Sequence, residues 1–184
     1  MKKLLQILAL VLALLPVTLS QASYGPVQEF PVPGHLLEFL VKQYNRPVDE
    51  LRRIVAFAYA EGKKTFPTPL DILAVIGVES EFKHDARHPG GPSLGLMQIN
   101  QAYNKSLDLF NPRENVRRGR ELLEEYRSKA SSDSKALLWY NRGPGGAISC
   151  EEGCEVYSTK VLALKRKLIY HSTKENTCSR YSSS

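Results

Sequence analysis

The sequence predicts a single all-α domain, and three observations lead to that fold class. Apolar residues recur along most of the chain at the three- and four-residue spacing of a helix surface. Two segments, at Thr68-Pro69 and Asn111-Pro112, open with a capping side chain followed by proline, which is a strong helix-start signal. No segment alternates apolar and polar residues over the length expected of a strand. The 184 residues have room for one domain with a substantial core.

Residues 1–22 have the pattern of a cleaved secretory signal peptide. Lys2 and Lys3 precede an apolar run at residues 4–15, and Ser20-Gln21-Ala22 is a small-x-small cleavage site. No cysteine follows the run to carry a lipid anchor, so we expect a periplasmic or secreted protein with no membrane anchor. Loss of the two lysines lowers the formal net charge from +6 to +4. No basic run interleaved with aromatic residues indicates nucleic-acid binding.

The remaining chain divides into three predicted parts. Residues 23–66 are expected to form an N-terminal helical extension, residues 67–169 the main domain, and residues 170–184 a polar, disordered tail. Glycine and proline at residues 142–146 predict a break between helices. The predicted helices are residues 35–44, 47–61, 68–82, one beginning at 111, a short one beginning at 133, and 155–169.

Glu79 is the most informative residue, because it is a carboxylate on a strongly apolar helix. Ile72, Ile76 and Glu79 fall on one face at helical spacing, whereas Glu81 is expected to point to water. Burial makes a carboxylate costly to ionise, so the pKa of Glu79 should rise and allow it to hold a proton as a general acid does. The alternative interpretation is a glutamate at the frayed end of a half-buried helix.

Cysteine and histidine positions leave two further questions. Export favours a disulfide among Cys150, Cys154 and Cys178, but the sequence does not choose the pairing. His84 and His88 have a spacing that could suit a metal, but they lie in a Pro/Gly loop and no third ligand is apparent. We therefore interpret them as solvated loop residues and expect neither a metal nor a cofactor.

Four short motifs follow one another in a fixed order. They are Glu79-Ser80, Gly95-Leu96-Met97-Gln98-Ile99, Asn111-Pro112 with Asn115 and Gly119, and Trp139-Tyr140-Asn141-Arg142-Gly143. Together they resemble the soluble lytic transglycosylase family, over roughly residues 68–168. The resemblance implies that residues 67–169 form a lysozyme-like helical domain that cleaves peptidoglycan.

The resemblance also implies roles for particular residues. Glu79 takes the place of the family's single catalytic carboxylate, and the substrate-binding residues are Ser80, Met97, Gln98, Tyr140, Asn141 and Tyr157. Met97 and Tyr157 could instead belong to the core, and Asn141 could cap the turn that follows it. Where the family has a loop serine, this chain offers His88 or Ser93, and Arg142 replaces a small residue. These departures affect substrate positioning more than the reaction.

The implied reaction cleaves the bond between N-acetylmuramic acid and N-acetylglucosamine and leaves a 1,6-anhydro end. A goose-type lysozyme-like hydrolase, with Asp85 or Asp108 positioning water, is the alternative enzyme. A protein that binds peptidoglycan without cutting it is the alternative outside enzymes. Small exported members of the family often serve a secretion, conjugation or pilus apparatus, so such machinery is a possible partner besides the glycan strands.

Overall fold

A computed structural model describes residues 32–148 and 155–174, and it is helical throughout most of that length. The predicted all-α, lysozyme-like fold class is confirmed. The signal-peptide residues and all three cysteines lie outside the described residues, so those predictions remain predictions. None of the described helices combines the length and hydrophobicity needed to cross a bilayer. The helices are α1 (Gly34–Tyr44), α2 (Val48–Glu61), α3 (Pro69–Glu79), α4 (Pro112–Lys129), α5 (Asp133–Ile148) and α6 (Val156–Thr173).

The two predicted helix starts are confirmed by their capping geometry. The Thr68 hydroxyl accepts a hydrogen bond from the Asp71 amide, while the Asp71 carboxylate accepts from the Thr68 amide at 2.9 Å. This reciprocal capping box satisfies two amide groups that the first turn of α3 would otherwise leave without partners. The Asn111 side chain likewise accepts hydrogen bonds from the amides of Arg113 and Glu114 at the start of α4.

Helix α3 lies at the centre of the domain, in contact with α2, α4 and α6. All residues from Asp71 to Gly77 are buried. Burial extends beyond the predicted face of Ile72, Ile76 and Glu79, because neighbouring helices cover this part of α3 on every side. Gly77 allows α6 to approach closely, since a Cβ there would lie 2.5 Å from the side chain of Leu164. At the other end of α3, Lys165 of α6 forms an ion pair with the buried Asp71 at 2.7 Å.

Helices α1 and α2 contribute to the same hydrophobic core as α3. Leu36, Leu40 and Ile54 are almost completely buried in one cluster with Ile72 and Ile76. The N-terminal helical extension therefore packs onto the main domain as part of one core.

Helix α6 continues to Thr173, four residues beyond the predicted end at residue 169. The ring of His171 stacks on Phe39 of α1 with centroids 4.3 Å apart. This contact explains why the helix continues into a polar segment that was expected to be disordered. Residues 175–184 of the predicted tail lie outside the described residues.

A short β-hairpin between α3 and α4 was not predicted. Strands β1 (Ser93–Leu94) and β2 (Ile99–Asn100) pair antiparallel and lead into a 3₁₀ turn at Gln101–Tyr103. Two residues per strand are too few to produce a recognisable alternation pattern. The predicted break near the end of α5 is confirmed, because Gly143 has a non-helical backbone with φ 71° and ψ 160°.

Candidate active site

Glu79 is the last residue of α3, and the backbone turns sharply just after it. Glu81 and Phe82 both have positive φ values, 52° and 63°, which are costly for residues with a side chain. The turn sends Glu81 to the surface, where it pairs with Lys83, and buries Phe82 completely. Glu81 is exposed, as predicted, but through this turn rather than through continued helix geometry. Glu79 is thereby held half-buried at the end of a rigid helix.

Tyr157 of α6 donates a hydrogen bond from its hydroxyl to Oε1 of Glu79, at 2.6 Å. Burial raises the pKa of the Glu79 carboxyl above its ordinary value, while this hydrogen bond and the nearby charge of His88 partly lower it. Burial also raises the pKa of Tyr157 well above its ordinary value, and the charge of Glu79 adds to the effect. The tyrosine therefore stays protonated and can donate to an ionised Glu79.

Tyr140, the other tyrosine among the predicted site residues, contacts the hairpin rather than the Glu79 carboxylate. Its hydroxyl donates a hydrogen bond to the Met97 carbonyl at 2.7 Å, and no hydrogen bond joins it to Glu79 among the described contacts. Burial, followed by the charge of Glu79, raises the pKa of Tyr140 well above its ordinary value. Of the two predicted tyrosines, Tyr157 is thus the one in direct contact with the carboxylate, and Tyr140 ties the hairpin to α5.

The motif residues Asn115 and Gly119 support the hairpin from α4. The fully buried Asn115 accepts a hydrogen bond from the Met97 amide at 2.8 Å and donates to the carbonyls of Leu94 and Leu109. Gly119 leaves room for the Met97 side chain, because a Cβ there would lie 2.2 Å from the sulfur. The structure therefore places the fully buried Met97 side chain in the core beneath the hairpin, not in an open groove.

Two adjoining cavities meet at Glu79. The larger has a volume of about 660 Å³ and the smaller about 470 Å³, both within the usual range for ligand sites. Glu79, His88 and Gln98 line both of them. A chain-like ligand lying through both cavities would therefore pass Glu79 with part of its length on either side.

The predicted binding residues are distributed unevenly around these cavities. Tyr140 and Asn141 line the larger cavity, Ser80 lines the smaller one, and Gln98 lines both. The Ser80 hydroxyl donates to the Ile76 carbonyl, which caps the end of α3. The two candidates for the loop position, His88 and Ser93, both line the larger cavity, as does Arg142.

Sequence reasoning missed one wall of the larger cavity, which α4 and the 3₁₀ turn provide. On this wall, Nε of Arg118 donates a hydrogen bond to the side-chain oxygen of Asn104 at 2.8 Å. Residues 118, 122, 125 and 126 share one face of α4 at helical spacing, but that spacing alone does not indicate that the face borders a cavity. The residues on this wall are Tyr103, Asn104, Arg118, Leu122, Glu125 and Tyr126.

The loop histidines do not assemble a metal site in the described part of the chain. Within residues 32–148 and 155–174, no cluster of three or more His, Cys, Asp or Glu side chains could hold a metal ion. His84 instead lies 3.0 Å from Glu50 of α2, and that carboxylate also pairs with Arg46. His84 thus connects the loop after Glu79 to the N-terminal helices, while His88 faces the cavities.

Comparison with known proteins gives one positive result. The model of the family described as the transglycosylase SLT domain matches residues 56–152, which is more than half of the chain. The matched segment includes Glu79 and the motifs that contain Gln98, Tyr140 and Asn141, but it ends before Tyr157. No curated protein matches the chain.

Proposed function

The chain belongs to the transglycosylase SLT domain family, whose domains act on peptidoglycan outside the cytoplasm. We therefore propose that it is a lytic transglycosylase with Glu79 as its catalytic carboxylate. The proposed reaction cleaves the bond from N-acetylmuramic acid to N-acetylglucosamine and leaves a 1,6-anhydro end. The observation that carries the proposal is the half-buried Glu79, hydrogen-bonded to Tyr157 at the junction of two cavities.

The first step is protonation of the leaving group. Glu79 gives its proton to the glycosidic oxygen, the bond from that oxygen to the anomeric carbon breaks, and the N-acetylglucosamine end leaves as an alcohol. The acetamido oxygen of the muramic acid stabilises the positive anomeric carbon. A raised pKa favours this step, because more of Glu79 holds its proton at neutral pH.

The second step closes the anhydro ring and restores the enzyme. The ionised Glu79 takes the proton of the sugar's C6 hydroxyl, and that oxygen attacks the anomeric carbon as the acetamido oxygen withdraws. The Tyr157 hydroxyl donates to the carboxylate while it is ionised, which stabilises the charge and holds the rotamer. No water is consumed, and one carboxyl group serves as acid and then as base.

The polar side chains around Glu79 suit an N-acetylated sugar strand. Asn141 offers an amide donor and acceptor, whereas Gln98 offers its amide oxygen, because its nitrogen donates to the carbonyls of Ala86 and Gly95. Ser93 and His88 line the cavity beside them. Of the predicted substrate-binding residues, we propose that Gln98, Tyr140 and Asn141 contact the sugars in the larger cavity. Met97 contributes through the shape of the hairpin, and Tyr157 through its hydrogen bond to Glu79. Ser80 similarly contributes by fixing the end of α3.

A hydrolase is the second candidate, and the position of Asp85 favours it. Glycosidases that use water need a second carboxylate near the bond, and Asp85 lines the smaller cavity together with Glu79. Asp108, the other acid considered, accepts a hydrogen bond from the Phe110 amide in a turn and does not line either of these two cavities. An Asp85→Asn variant should therefore lose activity only if water is the acceptor.

The decisive experiment is mass spectrometry of the sugar ends released from purified peptidoglycan. Anhydro-muramic ends support the lytic transglycosylase, and reducing ends support the hydrolase. Sacculi that keep their turbidity at high protein concentration would instead identify a binding protein that does not cut.

The location and cellular role follow from the same proposal. We propose that residues 1–22 direct export to the periplasm or outside the cell, that residues 67–169 form the catalytic unit, and that the enzyme opens the wall for a secretion, conjugation or pilus apparatus. The last point is supported by resemblance alone. Deleting the gene should then block assembly of that apparatus while leaving growth unchanged, and expression of a Glu79→Gln variant should fail to restore assembly.

A further inference from the structure

Tyr103 is the most exposed large aromatic residue in the described part of the chain, with 84% of its surface accessible. Large exposed rings carry apolar faces that gain free energy when a ligand covers them. Of the other markedly exposed large residues, Val48, Val156, Ile169 and Tyr170, none lines either of the two cavities that meet at Glu79. Tyr103 lines the larger one.

The backbone that carries Tyr103 is held on both sides by side-chain hydrogen bonds. Asn100 accepts from the Ala102 amide at 2.9 Å, and the nearly buried Asn104 donates to the Asn100 carbonyl at 2.8 Å. Arg118 of α4 then donates to the side chain of Asn104 at 2.8 Å. An exposed ring on a turn built this firmly loses little backbone freedom when a ligand binds to it.

The chemistry of the ring matches one face of a sugar. A pyranose presents several C–H groups on one face and its hydroxyl and acetamido groups around the edge. The apolar face of a tyrosine can cover those C–H groups while its hydroxyl stays in water. The neighbouring Arg118, Asn104 and Asn100 offer donors and acceptors to the polar edge.

We propose that Tyr103 is the stacking platform of a saccharide subsite separate from Glu79, on the wall of the larger cavity that α4 and the 3₁₀ turn provide. The proposal rests on the proposed function for its substrate class, a glycan strand of N-acetylated sugars. Only strands long enough to extend from Glu79 to Tyr103 gain from the platform, so it selects for long glycan over short oligosaccharides. Tyr103 is thus a specificity-determining residue and takes no part in proton transfer.

The first experiment measures kcat and KM for Tyr103→Ala on a length series, from the shortest oligosaccharide that is cleaved to long uncross-linked glycan strands. On long strands KM should rise roughly tenfold, as expected for truncation of an interface aromatic, while kcat stays at the wild-type value. On the shortest substrate both constants should be unchanged. Tyr103→Phe keeps the ring face and should behave as wild type on every substrate.

Tyr170→Ala is the matched control, because it removes a tyrosine that is 60% exposed on α6 and lines neither cavity. It should leave both constants unchanged on all substrates. An equal KM for Tyr103→Ala and wild type on long strands would overturn the subsite. A Tyr103→Phe variant as impaired as Tyr103→Ala would also overturn it, since the ring face would not be the cause.

A binding experiment separates this proposal from the proposed function. Calorimetric titration of long glycan strands into Glu79→Gln, and into the same variant carrying Tyr103→Ala, measures affinity without cleavage. A roughly tenfold weaker binding of the double variant supports the subsite even if the wild-type protein releases no sugar ends. Cleavage by the wild type together with equal binding by both variants would overturn the subsite alone. Absence of binding by either variant would also overturn it.

Discussion

Glu79 and Glu125 line the same cavity, yet their surroundings shift their pKa values in opposite directions. Burial at the end of α3 raises the pKa of Glu79. On the exposed surface of α4, a hydrogen bond from Lys129, together with its charge, lowers the pKa of Glu125. The difference between the two carboxyl groups therefore comes from their local surroundings, burial at Glu79 and Lys129 at Glu125, rather than from residue type or from the cavity itself. Glu79 can therefore serve as an acid at neutral pH, whereas Glu125 contributes only a negative charge to the cavity wall.

The strongest test of this contrast is the same substitution at both positions. Glu79→Gln keeps the shape and removes the transferable proton, so the rate should fall by at least about 10²–10⁴-fold. Glu125→Gln removes an exposed, paired charge and should change the rate far less. Release of sugar ends from purified peptidoglycan measures both. A Glu79→Gln enzyme with near wild-type activity would remove Glu79 from the mechanism.

Tyr157 and Tyr140, the two buried tyrosines near Glu79, allow a second comparison. Tyr157→Phe removes a hydrogen bond to a charged group, which should reduce kcat roughly tenfold to a hundredfold and raise the pKa of Glu79 further. Tyr140→Phe removes only the bond to the Met97 carbonyl, so it should lower thermal stability and leave the pH profile in place. Equal displacement of the pH profile in both variants would contradict the separate roles.

The pH profile of the wild-type enzyme tests the raised pKa directly. Activity should fall with rising pH as Glu79 loses the proton that it must donate, and the midpoint should lie above the ordinary glutamate value. Measurement of kcat/KM across the carboxyl range gives this midpoint for the free enzyme. A rate that stays constant there and falls only where tyrosine or lysine titrates would assign the acid to another residue.

The smallest expected effect is on stability. Since the pKa of Glu79 is raised, the folded protein binds this proton more tightly than the unfolded chain, whose carboxyl titrates at about 4.3. Stability is therefore lost as the pH rises from the unfolded pKa through the folded pKa. Glu79→Gln should melt at the wild-type temperature near pH 4 and at a higher temperature at pH 7. A variant that melts below wild type at pH 7 would show that ionised Glu79 stabilises the fold.

Local rules were enough to predict the helices and the position of Glu79 on an apolar helix. The capping residues Thr68 and Asn111, the break near Gly143 and the placement of Glu79 on α3 all follow from patterns within a few residues. The hairpin was missed because its strands are too short to show a period. The residues that shape the cleft depend on which helices become neighbours, and that information is not local.

Tyr157 and Met97 show this limit most clearly. Both were weighed as core or groove residues, and the sequence alone could not separate the two possibilities. Packing of α6 on α3 brings the Tyr157 hydroxyl to Glu79, whereas packing of α4 on the hairpin encloses Met97 over Gly119. The wall containing Tyr103 and Arg118 was missed for the same reason, although Arg118 shares a helix face with Leu122.

The pairing of Glu79 with Tyr157 has a consequence for the order in which the site can form. The two residues are 78 positions apart in the chain, and Asp71 and Lys165 join the other end of the same two helices. Contacts of such long separation require a large loop to close, so local helices can form well before them. The family segment ends at residue 152, so a chain shortened to it would contain Glu79 without either contact. The carboxylate gains its hydroxyl partner only after the last described helix has docked.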